Sequence, residues 1–219
     1  MEKLELMFSW LPALLSATGI TISLTILSVL CGLVISLFLA LGKISKSKLL
    51  QSLCSAYIFF FRGTPLLMQL FFLYYALPVI NQNFTINSRF IAAWIAYSLN
   101  SAAYLAEIIR AAIQSIDKGQ LEATKTLGMS YGQAMRLIII PQSIKRLIPP
   151  IGNEFIMVIK DTSLVSVIAL VDLMKKTSQI MSSSASALVF IPSMIIYLVI
   201  TMIFTCIFNK LEKKFSAYE

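Results

Sequence analysis

Glu154 and Asp161 are the residues whose type and spacing point most directly to chemistry. Both are carboxylates in a largely apolar stretch, where a charge costs a few kcal/mol unless it is paired or wet. Seven residues at about 100° each place them within roughly 20° of one another, two turns apart on one helix face. Two carboxylates facing one cavity suit a cationic ligand, and Asn153, beside Glu154, is counted with them as a candidate contact. Lys160 points elsewhere on the same helix. Internal pairing of these carboxylates with Lys160, or with Arg110 of a neighbouring helix, is the competing arrangement, because buried charges are normally paired. Thr64 and Pro65 form a second candidate, as N-cap and first helical residue, whose positive helix end suits a carboxylate. The alternative there is a capped helix entrance at a membrane surface, with Arg62 facing headgroups. Glu107 and Arg110, three apart, read as an intrahelical ion pair.

Other chemistries lack their residues. The 219-residue chain has no histidine, no G-x-x-x-x-G-K-[ST] phosphate loop and no Rossmann fingerprint, so nucleotide hydrolysis and nucleophilic or metal-assisted catalysis are not expected of it. Cys31, Cys54 and Cys206 sit in apolar surroundings without metal-like spacing, and read as small packing residues. Neither a cofactor nor a metal is expected in this chain.

The elements that must position these groups are membrane spans. With 58% hydrophobic and 13% charged residues, the chain is far from a soluble domain. Five spans are expected, at about residues 11–41, 65–80, 90–113, 143–171 and 188–208. Residues 49–61 are also apolar, so the second span has an open inner boundary. The first run is too long for the core of a cleaved leader. Lys43, Lys46 and Lys48, then Lys118, Lys125, Arg136, Lys145 and Arg146, then Lys210, Lys213 and Lys214 fall on one side of this arrangement. Lys3, Arg89, Lys175 and Lys176 fall on the other. The amino terminus is therefore expected outside and the carboxyl terminus in the cytoplasm. The net charge of +8 is absorbed by this orientation, with cations at span ends rather than in a nucleic-acid stripe. Ser182, Ser183, Ser184 and Ser186 read as a turn before the last span. One domain, residues 1–219, is the expected organisation.

Between the third and fourth spans the chain turns polar: Gly119, Gln120, Leu121, Glu122, Ala123, Thr124, Lys125, Thr126, Leu127, Gly128. Glu122-Ala123-Thr124, three residues, Gly128, nine residues and Ile138-Ile139-Ile140-Pro141 resembles the EAA loop of ABC-importer permeases. Thr124 stands where that pattern has a second alanine, and Ile140 where it has leucine. An ordinary amphipathic surface helix is the nonspecific alternative. Phe61-Arg62-Gly63-Thr64-Pro65, Ala106-Glu107-Ile108-Ile109-Arg110 and Lys160-Asp161-Thr162-Ser163-Leu164 resemble, in order, segments of the polar amino acid permeases, over about residues 11–173.

That resemblance implies an all-α integral membrane protein with the type I ABC importer permease fold. Its five transmembrane helices would carry a cytoplasmic coupling helix within residues 115–142. It implies an importer of polar L-amino acids in the bacterial cytoplasmic membrane, driven by two ATP-binding subunits that hold ATP and magnesium. A second permease copy, identical or a sister subunit, and an extracytoplasmic amino-acid-binding protein would complete it. Gly119, Glu122, Ala123, Thr124, Lys125 and Gly128 are then the coupling residues, with glycines 119, 128 and 132 allowing reversals and close approach. The two carboxylates favour basic amino acids such as arginine, lysine or histidine. Glutamine, cystine or opines are the alternative cargo. A secondary transporter or channel coupling ions through Glu154 and Asp161 is the alternative of another class.

Overall fold

Small side chains decide how the longest helix packs. Helix α1 (Glu2–Ile44) carries Thr18, Thr21, Thr25, Ser28, Gly32, Ser36 and Ala40 at steps of three or four, all buried. Opposite them α5 (Arg89–Gln114) buries Ala92, Ala93, Ala96, Ser98, Ser101, Ala102, Ala103 and Ala106. In a membrane, where lipid is as apolar as leucine, such stripes let helix backbones approach. This pair has the most extensive packing in the protein. At Gly32 an added Cβ would stand 3.2 Å from the Ala102 amide nitrogen and 3.3 Å from the Ser98 carbonyl. Thr18 and Thr25 return their hydroxyls to the carbonyls four residues earlier, at 3.0 and 2.8 Å, whereas the buried hydroxyls of Ser28 and Ser98 find no partner among the described residues. The computed structural model describes residues 2–216.

Among the described residues two helices are long and apolar enough to cross a membrane, within Lys3–Ile44 and Ala187–Phe215. The second expected span is larger and more broken than its sequence reading. Helix α2 (Lys48–Gly63) is joined through Thr64 and Pro65 to a second arm, Leu66–Ile80, bent by 102°. That arm comprises α3 (Leu66–Phe71), a wide π turn and α4 (Leu77–Ile80). Helices α5 and α8 (Ile140–Asp161) have 26 and 22 residues, and fall short in apolarity because they carry the charged groups of interest.

Expected boundaries agree best for α5. The fourth span does not run unbroken through residue 171. α8 ends at Asp161 and a 3-10 turn, Thr162–Ile168, follows it. The chain then re-enters a helix that the sequence reading missed, α9 (Leu173–Ser184). Buried Asp172 caps α9 by accepting from the amides of Met174 and Lys175 at 3.1 and 2.9 Å. The Leu173 amide donates to Thr21 Oγ1 of α1 at 3.3 Å. Ser182, Ser183 and Ser184 are the end of this helix, not a turn, and the reversal comes at Ala185, with φ of 50°. Helix α10 (Phe190–Ser216) completes the fold, packing Phe208 so closely on Gly152 that a Cβ there would meet the ring at 2.9 Å.

Both π turns precede a proline. Phe72–Ala76 leads to Pro78, and Met135–Ile139 to Pro141. A helical proline lacks the N–H and crowds the carbonyl four residues back, which a locally widened turn relieves.

Candidate functional site

Helix α8 brings Glu154 and Asp161 to one cavity of about 440 Å³. Its wall also includes Arg62, Gly63, Thr64 and Pro65 from the α2–α3 break, and Tyr97, Asn100 and Tyr104 from α5. The shared helix face expected from the spacing is therefore real. Glu154 is buried and its Oε1 accepts from Ser101 Oγ at 3.1 Å. Asp161 is half-buried, and its backbone carbonyl accepts from the Tyr97 hydroxyl at 2.6 Å. Among the described residues neither side chain has an ion-pair partner. Arg110 is engaged elsewhere and Lys160 is exposed, so internal pairing does not account for these carboxylates. Arg62 stacks its guanidinium 5.2 Å from the Tyr104 ring centroid, a cation–π contact on the cavity wall.

Two expected contacts stand differently. Asn153 is exposed and outside the cavity lining, because the next position on a helix turns about 100° away from Glu154. Thr64 lines the cavity but does not cap α3. It closes α2 instead, with Oγ1 donating to the Phe60 carbonyl at 2.8 Å, while the carbonyl of Pro65 accepts the first α3 amides, Met68 at 2.9 Å and Gln69 at 3.2 Å. Thr64 and Pro65 in sequence mark a single helix start, whereas the preceding helix reaches right up to them.

Glu107 and Arg110 form the expected pair, Arg110 Nη2 lying 2.7 Å from Glu107 Oε2. Lys43 at the end of α1 adds a second cation to Glu107. Nothing in one-dimensional spacing connects residues 43 and 107.

The polar loop forms its own compact unit. Asp117 caps α6 (Lys118–Thr126) by accepting from the Gly119 amide at 2.6 Å. An added Cβ at Gly119 would stand 2.8 Å from that Asp117 oxygen. The helix ends in a Schellman arrangement: the Gly128 amide donates to the Lys125 carbonyl and the Met129 amide to the Thr124 carbonyl, both at 3.0 Å. Gly128 has φ of 72°, which an L side chain rarely adopts. Gly132 makes no reversal. It lies in the short helix α7 (Tyr131–Ala134), opened by a capping box between Ser130 and Gln133. Thr124 is buried, while Glu122, Ala123 and Lys125 are exposed on α6 with Leu127 beyond its end. That division presents one face outward, while Leu121 of α6 lines a cavity together with Ile113, Tyr131, Met135 and Ile139. Asp117, a cap signal two residues before Gly119, marks the helix start that the motif alone left undefined.

The chain is similar to known transport proteins over nearly its whole length. Residues 32–217 match the model of the binding-protein-dependent transport system inner membrane component family. The chain is 39% identical, over 94% of its length and 94% of the relative's, to the arginine transport system permease protein ArtQ of Bacillus subtilis. It is 38% identical, over 96% of its length and 89% of the relative's, to the L-cystine transport system permease protein TcyB of the same organism. A crystal structure of an amino acid ABC transporter with histidines superposes with a TM-score of 0.89 at 40% identity, covering 95% of this chain and 96% of that one.

Proposed function

The chain belongs to the family of binding-protein-dependent transport system inner membrane components, as an ABC-importer permease whose ATPase is a separate subunit, and from that premise we propose that it admits basic L-amino acids through the Glu154–Asp161 cavity. One observation carries the substrate class. Two carboxylates without ion-pair partners among the described residues and one guanidinium converge on about 440 Å³. An amino acid with a cationic side chain offers the complementary set, two cations and one carboxylate, and the volume falls in the range of small-molecule sites, about 300–1,000 Å³. ArtQ's name supports arginine among the candidates.

In this reading α1, the bent α2–α4 pair, α5, α8 and α10 make five crossings, with the amino terminus outside and the α6 loop in the cytoplasm. Gly119, Glu122, Ala123, Thr124, Lys125 and Gly128 dock two ATP-binding subunits, which carry ATP and magnesium. A second permease copy, identical or a sister, and an extracytoplasmic binding protein complete the importer. ATP-driven closure moves α6, and the helices that follow reorient the cavity. TcyB's name favours a second reading, cystine, which carries two ammonium groups and two carboxylates.

Uptake of labelled arginine by the reconstituted importer tests the assignment. A charge-assisted hydrogen bond is worth about 1.5–3 kcal/mol, so Glu154→Gln and Asp161→Asn should each weaken apparent affinity roughly ten- to a hundredfold. Unchanged arginine transport in both variants, or uptake of labelled cystine with none of arginine, would remove basic amino acids as the cargo.

A further inference from the structure

The break between α2 and α3 leaves backbone carbonyls that neither helix can satisfy. In an uninterrupted helix the Phe61 carbonyl would accept from the residue four positions on, which is Pro65 and has no N–H. The Thr64 carbonyl loses its partner as well, because the Met68 amide is bonded to the Pro65 carbonyl at 2.9 Å. Within a membrane protein such groups must be satisfied internally or by a wet cavity.

Two side-chain amides answer both vacancies. Gln69 Nε2 donates to the Phe61 carbonyl at 2.9 Å, the Thr64 carbonyl at 3.0 Å and Thr64 Oγ1 at 2.8 Å. With two hydrogens for three acceptors, one of these bonds is shared. Asn100 Nδ2 of α5 donates to the Phe61 carbonyl and to Gln69 Oε1, both at 3.0 Å. Gln69 is nearly buried and borders a second, apolar cavity with Phe60 and Phe72, whereas Asn100 lines the cavity that holds Glu154 and Asp161. The amide pair thus stands in the wall between the two spaces. The next residue of α5, Ser101, holds Glu154, so consecutive positions of one helix secure two parts of the cavity wall.

We propose that Gln69 and Asn100 are positioning residues, an amide clamp that fixes the strip from Arg62 to Pro65 in the cavity wall and so sets substrate affinity through it. Gln69 acts on the ligand only through that strip, and Asn100, which also lines the cavity, donates its amide hydrogens to the Phe61 carbonyl and Gln69. Its link to substrate rests on the cavity being the site for basic amino acids.

The test uses the whole importer, reconstituted with its ATPase and binding protein, carrying Gln69→Met or Asn100→Leu. Both remove the donors and keep approximate size. Arginine is the transport probe. The reporter is Gly63→Cys in a chain lacking Cys31, Cys54 and Cys206, since an added Cβ at Gly63 meets nothing within 4 Å. Loss of two neutral hydrogen bonds should raise the KM for arginine roughly tenfold while kcat stays within about twofold. Reactivity of the new thiol toward a water-soluble reagent, measured without substrate, should change severalfold. A fall in Tm with KM and thiol reactivity unchanged overturns the proposal, because the amides then serve stability alone. Changed reactivity with unchanged KM upholds the clamp and refutes the cavity as the arginine site, since the thiol readout needs no ligand. If Asn100→Leu does not assemble, Asn100→Asp keeps the shape, loses both donors and is read by the same two measurements.

Discussion

Gly128 separates two explanations of the α6 loop. Its φ of 72° closes the Schellman turn, and an added Cβ meets no heavy atom within 4 Å. Inside this chain, then, a side chain at 128 is opposed by conformation and not by crowding. Alanine in the left-handed region costs about 1–2 kcal/mol, a roughly 5- to 30-fold loss of the closed cap, whereas asparagine visits that region far more readily. In a docked complex the order reverses, because the open space beside Gly128 becomes an interface and the larger side chain is worse. Overpacking a close contact costs about 1–3 kcal/mol. Gly128→Asn should therefore preserve the cap and impair coupling more than Gly128→Ala, which should loosen the cap and impair coupling less. Amide exchange at Met129, whose N–H bonds the Thr124 carbonyl at 3.0 Å, reads the cap. Molecules transported per ATP hydrolysed read the coupling. If coupling follows cap protection, with alanine worse than asparagine, Gly128 serves only the local fold and the docking assignment fails.

Gly32→Leu should lower the Tm of the complex by separating α1 from α5, at a cost of about 1–3 kcal/mol, with Gly32→Ala smaller in effect but not neutral, because its Cβ would stand only 3.2–3.3 Å from α5 atoms that include backbone; equal Tm values for both variants would refute the close-seam account. Glu122→Lys should leave the protein inserted and uncouple ATP hydrolysis from transport through reversed charge on an exposed face, and a wild-type coupling ratio would count against that face. In a cysteine-free chain, Asn83→Cys and Ser182→Cys should react with an impermeant thiol reagent outside intact cells and Ser47→Cys should not; labelling at 47 alone would invert the orientation.

Local rules carried much of this protein into view from its sequence. Apolar length marked the membrane class, and the seven-residue step placed Glu154 and Asp161 on one face, which the cavity they share bears out. The spaced motif located α6, and the i,i+3 spacing of Glu107 and Arg110 foretold their ion pair. Each of these depends on positions within a few helical turns, where geometry is nearly fixed. What tertiary structure decided depends on residues far apart in the chain. Pro65 signals a break, but its 102° bend is held by Gln69 together with Asn100 of another helix. Helix α9 interrupts an apolar run because Asp172 caps its first turn and Leu173 finds Thr21, more than a hundred residues earlier. Thr64 satisfies the helix behind it rather than the one ahead, and Lys43 reaches Glu107 only because α1 and α5 lie side by side. A sequence states which polar groups exist, but which partner each one finds is decided by the packing that brings distant segments within about 3 Å of one another.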